Sequence, residues 1–271
     1  MVRLKDIKEA SRLAFAYMKP GVIANHVMTA DEYQADIDAG ALYAHTWPGG
    51  VLFLRKRERY HLLSYCVNDQ NIFPDVELPA GTVTEIAYKP NGANAAKEAI
   101  QYWKQVGLKQ VFERIRLTRP GGLIYKPLHA CLTPESKQHR IVLAGNQDID
   151  DCIKLIQANF DPITGHIPTS REIKASIVEG CILCVKDSYS DEICGLLRCI
   201  HRAASVEIRQ LALNEDVRGQ GLASKLLDAF NEKWNEKKST VWMRDGNMPA
   251  LKAYQSAGFV TDGWRANVLT N

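Results

Sequence analysis

The chain has 271 residues, of which 46% are hydrophobic and 24% are charged, and its formal net charge is +3. This composition is typical of a globular protein with one large or two ordinary domains, and the small net charge argues against nucleic acids or membrane surfaces as partners. The sequence has no run of 18 apolar residues, and its start, MVRLKDIKEA, is too charged for a signal peptide, so we expect a cytoplasmic protein.

Residues 1–120 are predicted to form a mixed α/β domain. Hydrophobic periodicity predicts helices over 3–18, 30–39 and 94–106, and strands over 51–54, 60–67, 82–88 and 111–117. The first two strands flank the basic run Arg55–Arg59, which we interpret as the solvated tip of a hairpin. The alternative is an adaptor that binds RNA or protein through this run.

Residues 121–138 are predicted to be a linker, because a Pro-Gly-Gly break is followed by two further prolines. A second domain then spans residues 139–271. Its predicted elements are a strand over 140–144, helices over 148–160 and 170–179, antiparallel strands over 181–185, 193–200 and 206–213, a helix from Leu222, a strand over 240–243, a helix over 248–257 and a strand over 264–269.

The seven cysteines are expected to be reduced thiols. Cys181 and Cys184, followed by Cys194 and Cys199, raise the alternative of a zinc site. Both pairs lie in predicted strands, where offsets of three and five residues send the two side chains to opposite faces. We therefore interpret these cysteines as core residues and expect no metal site.

The stretch from Val206 to Trp234 carries the clearest chemical signal. An apolar strand is followed by a turn with Gly219 and Gly221, and then by a helix with one apolar stripe. Glycines let the backbone bend sharply, and the first N–H groups of a helix lack intrahelical partners. A strand, a glycine turn and a helix start together favour an anion site, most often for phosphate.

Two motifs in this region resemble those of one family. Arg218-x-x-Gly221-x-Ala223 matches the R/Q-x-x-G-x-G/A motif of the GNAT superfamily of acyl-CoA-dependent N-acyltransferases. The segment NMPALKAYQSAGF, from Asn247 to Phe259, resembles the family's N-x-x-A-x-x-x-Y-x-x-x-G-F. The order and spacing of the two motifs fit the family. The resemblance implies a mixed-sheet GNAT fold for residues 139–271.

The resemblance also implies the roles of single residues. Tyr254 matches the tyrosine that protonates the leaving thiolate, and Glu207 lies where some members carry a catalytic glutamate. Two-residue alternation predicts that Glu207 and Leu211 share one strand face, and pairing with Arg209 is the alternative role for Glu207. The residues assigned to acetyl-CoA are Leu211, Ala212, Leu213, Arg218, Gly219, Gln220, Gly221, Leu222, Ala223 and Asn247. For Asn247, capping the next helix is the alternative.

A segment of the first half of the chain is similar in sequence to a segment of the second half. Residues 99–108, ending Gly107-Leu108, line up with residues 250–259, ending Gly258-Phe259, and Trp103 stands where the second copy has Tyr254. Residues 1–120 thus resemble a degenerate GNAT-like domain, although an unrelated helix ending in glycine is the alternative. Only twelve residues follow Phe259, so the sheet edge is expected to be completed by the front domain or by a second subunit, as in a homodimer.

The sequence therefore predicts a tandem protein whose C-terminal domain transfers acetyl from acetyl-CoA to a primary amine by direct attack through a tetrahedral intermediate. The acceptor is a small molecule or a peptide, and the sequence does not identify it. The alternative is a non-catalytic acyl-CoA-binding regulator that retains the anion site.

Overall fold

The computed structural model of the chain describes residues 1–18, 22–25, 28–122 and 138–271. These residues form two compact units. Unit 1 comprises residues 1–113, 162–164 and 265–271, and unit 2 comprises residues 114–161 and 165–264. Residues 123–137 of the predicted linker lie outside the described residues, and the domain boundaries at 120 and 139 stay predictions.

Unit 1 begins with small strands and two helices and continues as a mixed sheet. Its elements are β1 (Val2–Arg3), α1 (Ile7–Tyr17), β2 (Ile23–Ala24), α2 (Ala30–Asp38), β3 (Leu42–Trp47), β4 (Gly50–Lys56), β5 (His61–Val67), β6 (Thr82–Tyr88), α3 (Ala93–Gln105) and the start of β7 (Lys109–Arg119). The strands follow the order β1-β3-β4-β5-β6. The predicted hairpin is confirmed as β4 and β5, whereas β3 was missed.

The basic run at the hairpin tip is partly neutralised within unit 1. Arg55 Nε lies 2.5 Å from Asp36 Oδ2, and Arg57 Nη1 lies 2.9 Å from Asp36 Oδ1. The Asp36 side chain is only 8% exposed, so the two arginines surround a buried carboxylate. Half of the basic side chains in the run thus have a structural role.

Unit 2 is the second mixed sheet, covered by helices on both faces. Its elements are β8 (His139–Leu143), α4 (Ile149–Asn159), α5 (Ser170–Val178), β9 (Ile182–Asp187), β10 (Ile193–His201), β11 (Ser205–Leu213), α6 (Leu222–Lys233), β12 (Lys238–Arg244), α7 (Met248–Ser256) and the start of β13 (Val260–Thr270). β9 to β11 form the predicted antiparallel meander, β8 extends it by pairing antiparallel with β9, and β12 pairs in parallel with β11.

The sheet of unit 2 separates two hydrophobic cores. We call them the α6–α7 core and the α4–α5 core after the helices that cover them. Members of the α6–α7 core include Cys181, Val206, Ile208, Leu213, Val217, Leu222, Phe230, Tyr254 and Phe259. Members of the α4–α5 core include Cys152, Ile156, Ile173, Cys184, Leu196 and Ala212.

The two cores show which face of the sheet each cysteine side chain occupies, and this tests the predicted side-chain directions. Cys181 packs in the α6–α7 core and Cys184 in the α4–α5 core, so the prediction of opposite faces is confirmed for this pair. It is wrong for Cys194 and Cys199, which both pack in the α6–α7 core. The reason is a bulge: Ile193 pairs with Lys186 but Gly195 pairs with Val185, so Cys194 is an extra residue that inverts the alternation.

Each unit contains a strand segment that is distant in sequence. Arg114–Arg119 of β7 belongs to unit 2, where it pairs antiparallel with β12. Arg265–Thr270 of β13 belongs to unit 1, where it pairs antiparallel with β6. The edge of the second sheet is therefore completed by residues that we had predicted to belong to the front domain.

Within the described residues, no helix is long and apolar enough to cross a membrane.

Candidate active site

The parallel strands β11 and β12 diverge at their carboxyl ends. They pair only from Ser205 to Ile208, opposite Lys238 to Val241, although β11 continues to Leu213 and β12 to Arg244. Beyond Ile208 each strand still pairs with its outer neighbour. The inner backbone groups of Arg209–Leu213 consequently face a gap, with no partner from β12.

The glycine turn follows directly at the end of β11. Gly219 and Gly221 have φ angles of 79° and 78°, a conformation that L-residues other than glycine adopt only at a cost. A Cβ added at either position would meet no atom within 4 Å, so the turn is open on its outer side. This is the space that an approaching ligand needs.

The start of α6 differs from the starts of α2, α5 and α7. Capping boxes close α2 and α5, and the Asn247 side chain caps α7. In contrast, the residue before α6 is Gly221, no side chain caps the helix, and its first turn has no acidic residue. The first N–H groups and the positive end of the helix dipole are thus directed at the open side of the turn.

Arg218 connects the glycine turn to the end of β11 and to α4 by hydrogen bonds. Its Nε donates to the backbone carbonyl of Leu213 at 3.2 Å, and its Nη2 donates to Asn159 Oδ1 at 2.8 Å. Gln220 likewise donates to the carbonyl of Asp216 at 3.1 Å. Its Nη1 lies 3.3 Å from Glu215 Oε1 in an exposed ion pair, and the Arg218 side chain remains 51% exposed beside the helix start.

Asn247 has the capping role that was its alternative interpretation. Its Oδ1 accepts a hydrogen bond from the backbone N–H of Ala250 at 3.2 Å, and Pro249 follows within the first turn of α7. Asn247 is exposed, which leaves its amide nitrogen accessible. A contact of Asn247 with a cofactor stays a prediction.

Tyr254 lies on the buried side of α7. It is 6% exposed and packs edge-on against Phe259, with ring centroids 5.7 Å apart. It shares the α6–α7 core with Leu213, Val217 and Leu222, which places it in one cluster with the end of β11 and the start of α6. Burial raises the pKa of its hydroxyl, so the phenol stays protonated at neutral pH.

Glu207 does not share a face with Leu211, and that prediction is wrong. Arg198 pairs with Gln210 but Cys199 pairs with Ile208, so Arg209 is an extra residue that inverts the alternation of β11. Because Val206 and Ile208 point into the α6–α7 core, Glu207 points to the α4–α5 face. Its Oε1 is 2.7 Å from Arg209 Nη1, so the pairing with Arg209 is observed.

Three further residues on the α4–α5 face were not among the site residues predicted from the sequence. Arg198 and Gln210 form a buried polar pair beside the strand divergence, with 3.0 Å between Arg198 Nη1 and Gln210 Oε1. Trp242 is the first residue of β12 beyond the paired region, and the Arg116 guanidinium lies 5.6 Å from its ring centroid. A lone arginine within the apolar run ICGLLRCI was the available signal for Arg198.

Metal-binding side chains are dispersed rather than clustered. Among the described positions, no group of three or more His, Cys, Asp or Glu side chains is arranged to hold a metal ion.

A cavity of about 470 Å³ in unit 2 lies between α4 and the β9–β10 turn and is lined by Asp151, Lys154, Asp187 and Asp216 among others. It does not include the glycines or Tyr254.

A divergent parallel strand pair, an uncapped helix start and an open glycine turn define the class of fold found in acyl-CoA-dependent acyltransferases. Residues 178–261 match the sequence profile of the acetyltransferase (GNAT) domain. The chain therefore carries a GNAT domain, and the predicted family and fold are confirmed. No curated protein sequence matches the chain.

Solved structures show how far this fold extends. A GCN5-related N-acetyltransferase from Sphaerobacter thermophilus is 14% identical, with a TM-score of 0.62 over 100% of this chain and 95% of that protein. A GNAT-family acetyltransferase from Colwellia psychrerythraea is 12% identical, with a TM-score of 0.54 over 99% and 98%. A tandem GNAT protein from the clavulanic acid biosynthesis pathway is 10% identical, with a TM-score of 0.51 over 85% and 83%. At these identities the likeness concerns the fold.

Proposed function

We propose that the chain is an N-acetyltransferase that moves acetyl from acetyl-CoA to a primary amine. The observation that supports this most directly is the divergence of β11 and β12 beside the open glycine turn. The N–H groups at the start of α6, with Gly219 to Ala223 and Arg218, suit the diphosphate of the cosubstrate. The inner backbone of Leu211–Leu213, which has no partner from β12, suits its pantetheine arm and the thioester oxygen, for which an oxyanion donor contributes about 3–4 kcal/mol.

In the proposed reaction the amine attacks the thioester carbonyl directly. A C–N bond forms, the tetrahedral intermediate collapses, and the C–S bond breaks to leave a thiolate. Tyr254 gives its proton to this sulfur, and it is held protonated for that step by burial. An alkylamine is mostly an ammonium at neutral pH, so a base must first remove one proton.

Glu207 is the proposed base, acting directly or through water. Its carboxylate is 24% exposed and lies on the α4–α5 face, in the last paired part of β11 before the divergence. The Arg209 guanidinium keeps the carboxylate oriented by their 2.7 Å contact. The proton taken from the amine then passes from Glu207 to solvent, and the second N–H proton, lost as the tetrahedral intermediate collapses, restores the Tyr254 hydroxyl.

The purified full chain tests this function with two measurements. Calorimetry with CoA is expected to show one bound molecule per chain, and a thiol-release assay with acetyl-CoA is expected to show turnover with at least one member of a panel of primary amines. Binding without turnover would favour the non-catalytic regulator. Absence of both would remove the proposal, whatever the fold.

A further inference from the structure

The α4–α5 face of unit 2 contains a buried cation without a counterion. Arg198 is 5% exposed and lies in the middle of β10. Its Nε donates to Ser176 Oγ at 3.0 Å and its Nη1 donates to Gln210 Oε1 at 3.0 Å, and both partners are neutral. In the described part of the chain no carboxylate oxygen comes within 4 Å of this guanidinium.

Such an arrangement is costly unless an anion completes it. Burying a charge among neutral groups costs several kcal/mol, and the usual remedy is a paired carboxylate. Glu172, the acidic group whose field reaches Arg198, is engaged with the N–H and hydroxyl of Thr169 at the start of α5. Burial and the field of Arg209 lower the pKa of Arg198, which shows how poorly its charge is compensated.

One side of the guanidinium is left for a ligand. Nη2 has no hydrogen-bond partner among the described residues, and it is not one of the enclosed unpartnered atoms, so it keeps access to solvent. Gln210 in turn donates to the carbonyl of His166 at 3.2 Å, in the loop before α5. The Arg198 side chain is therefore fixed by its own unit, with three of its five N–H groups uncommitted, two of them on Nη2.

The position of Arg198 relates it to the proposed base. Ile200 is the cross-strand partner of Glu207, and Arg198 lies two residues before Ile200 on the same face of β10. In a regular ladder such diagonal neighbours are about 7–8 Å apart, with their Cβ atoms somewhat closer, and here the bulge at Arg209 lies between the two positions. Arg198 and Glu207 are thus neighbours on one face of the sheet, an arrangement that suits a small amino acid with its carboxylate at one residue and its amine at the other.

We propose that Arg198 binds the carboxylate of the acceptor, so that the amine acetylated by this protein is one that also carries a carboxyl group, as a small amino acid does. This inference rests on the proposed acetyltransferase function and specifies its substrate class. Charge favours a carboxylate over a phosphate. Glu207 and Arg209 neutralise each other, so one positive charge remains, and a monoanion balances it.

Matched acceptors and a matched variant test the inference. The full chain is assayed with acetyl-CoA and glycine or β-alanine, with their carboxamides, and with aminomethylphosphonate. The carboxylates are expected to exceed the carboxamides by at least about 10-fold in kcat/KM, and the phosphonate to be poorer than glycine. In Arg198→Met this preference is expected to vanish through a higher KM for the carboxylates, with turnover of the carboxamides retained. Arg202→Met, an exposed arginine in the same hairpin, is expected to keep the preference.

The outcomes distinguish failure of the carboxylate inference from failure of the proposed function. Turnover without preference for carboxylates, or a preference that survives Arg198→Met, overturns the inference and leaves the proposed function standing. No turnover with any amine overturns the proposed function and this inference with it. Should Arg198→Met fail to fold, competition on the unaltered protein decides: propionate must inhibit amine acetylation and propionamide must not, and equal effects would reject a carboxylate site.

Discussion

The two units contain the same pair of diverging parallel strands and differ in what occupies the gap. In unit 2, β11 and β12 separate after Ile208 and the gap is open toward the glycine turn. In unit 1, β5 and β6 pair only at His61–Leu62, opposite Thr82–Val83, and then also separate. That second gap is filled by the chain itself.

Asn25 is the residue that fills it. Its Nδ2 donates to the carbonyls of Leu63 on β5 and Glu85 on β6, at 3.3 and 3.1 Å, and its Oδ1 accepts from the N–H of Tyr65 at 2.9 Å. β2, just before it, adds antiparallel to β5. Three backbone groups between the diverging strands of unit 1 are thus satisfied by a side chain of the same unit.

The units differ also in the connection between the two strands of each pair. β11 leads into the glycine turn and α6, whereas the residues between β5 and β6, all described, contain no helix. Trp103, which the sequence alignment of residues 99–108 with 250–259 places opposite Tyr254, is fully buried against Tyr65 with ring centroids 4.7 Å apart. Diverging strands alone therefore do not make a site. Under the proposed function, the open gap, the helix start and the Tyr254 hydroxyl are required together.

The largest expected effect comes from separating residues 139–271 from the rest. This fragment lacks Arg114–Arg119, the antiparallel neighbour of β12, so the sheet of unit 2 would end in an exposed edge. We expect no soluble, active fragment, measured by size-exclusion chromatography and thiol release. A fragment of residues 109–271 is the control, and full activity in residues 139–271 would show that the strand is dispensable.

Tyr254→Phe tests the catalytic difference between the units. Loss of a general acid lowers kcat by about 100-fold or more, while CoA affinity should stay close to that of the unaltered chain. Thiol release and calorimetry measure the two quantities. Equal turnover by the variant would remove the proton-donor role.

The pH profile provides a control for the same residue. Because burial raises the Tyr254 pKa above its ordinary value near 10, the protonated acid persists as pH rises, and its ionisation should not reduce kcat below about pH 10. A fall in kcat between about pH 8 and 9 that disappears in Tyr254→Phe would contradict this.

Glu207→Gln examines the other proton transfer. We expect kcat at neutral pH to fall by about 10- to 100-fold, with a smaller deficit at alkaline pH, where more of the amine is already neutral. The quantity to measure is the ratio of variant to unaltered kcat across pH. A constant ratio near one would assign Glu207 only to its pairing with Arg209.

Gly221→Val tests whether the glycine turn before α6 contributes to CoA binding. The side chain would occupy the open space of the turn, and we expect CoA affinity to fall by about 10-fold or more in calorimetry. Gly107→Val in unit 1 is the matched control, since Gly107 also has a positive φ, 108°, and open space around its Cβ position. Both should lose about 1–2 kcal/mol of stability. Equal CoA affinities would separate the turn from ligand binding.

Asn25→Ala is expected to have the smallest effect on chemistry. It leaves the carbonyl of Glu85 and the N–H of Tyr65 without this partner, while the carbonyl of Leu63 keeps the Thr84 hydroxyl, and it should cost about 2–3 kcal/mol of stability in denaturant unfolding. CoA should still bind at one molecule per chain, because the described residues between β5 and β6 contain no helix equivalent to α6. A second bound CoA in this variant would show that the gap alone can bind the cofactor.

Local patterns predicted most of the fold and part of the site. The apolar stripe from Leu222 to Trp234 and the glycines before it were sufficient for α6 and its turn, because both depend on short-range geometry. The predicted directions of Glu207 and Cys194 were wrong because bulges at Arg209 and Cys194 shift the two-residue period. In β11 the shift is visible in the sequence, since the apolar residues step from Val206 and Ile208 to Leu211 and Leu213, but strict alternation was assumed. Arg198 was missed because its burial depends on Ser176 and Gln210, which are distant in sequence.

The exchanged strand segments set the order in which the protein can be completed during synthesis. Most of unit 1 is translated before unit 2, yet β6 acquires its β13 neighbour only with Arg265–Thr270, and Thr82 acquires the side chain of Asn271 as a hydrogen-bond acceptor only one residue later. The sheet of unit 1 must therefore wait, with an unpaired edge, until these residues beyond unit 2 have been translated. A ribosome that stalls within α7 would release a chain in which neither half has its full complement of strands.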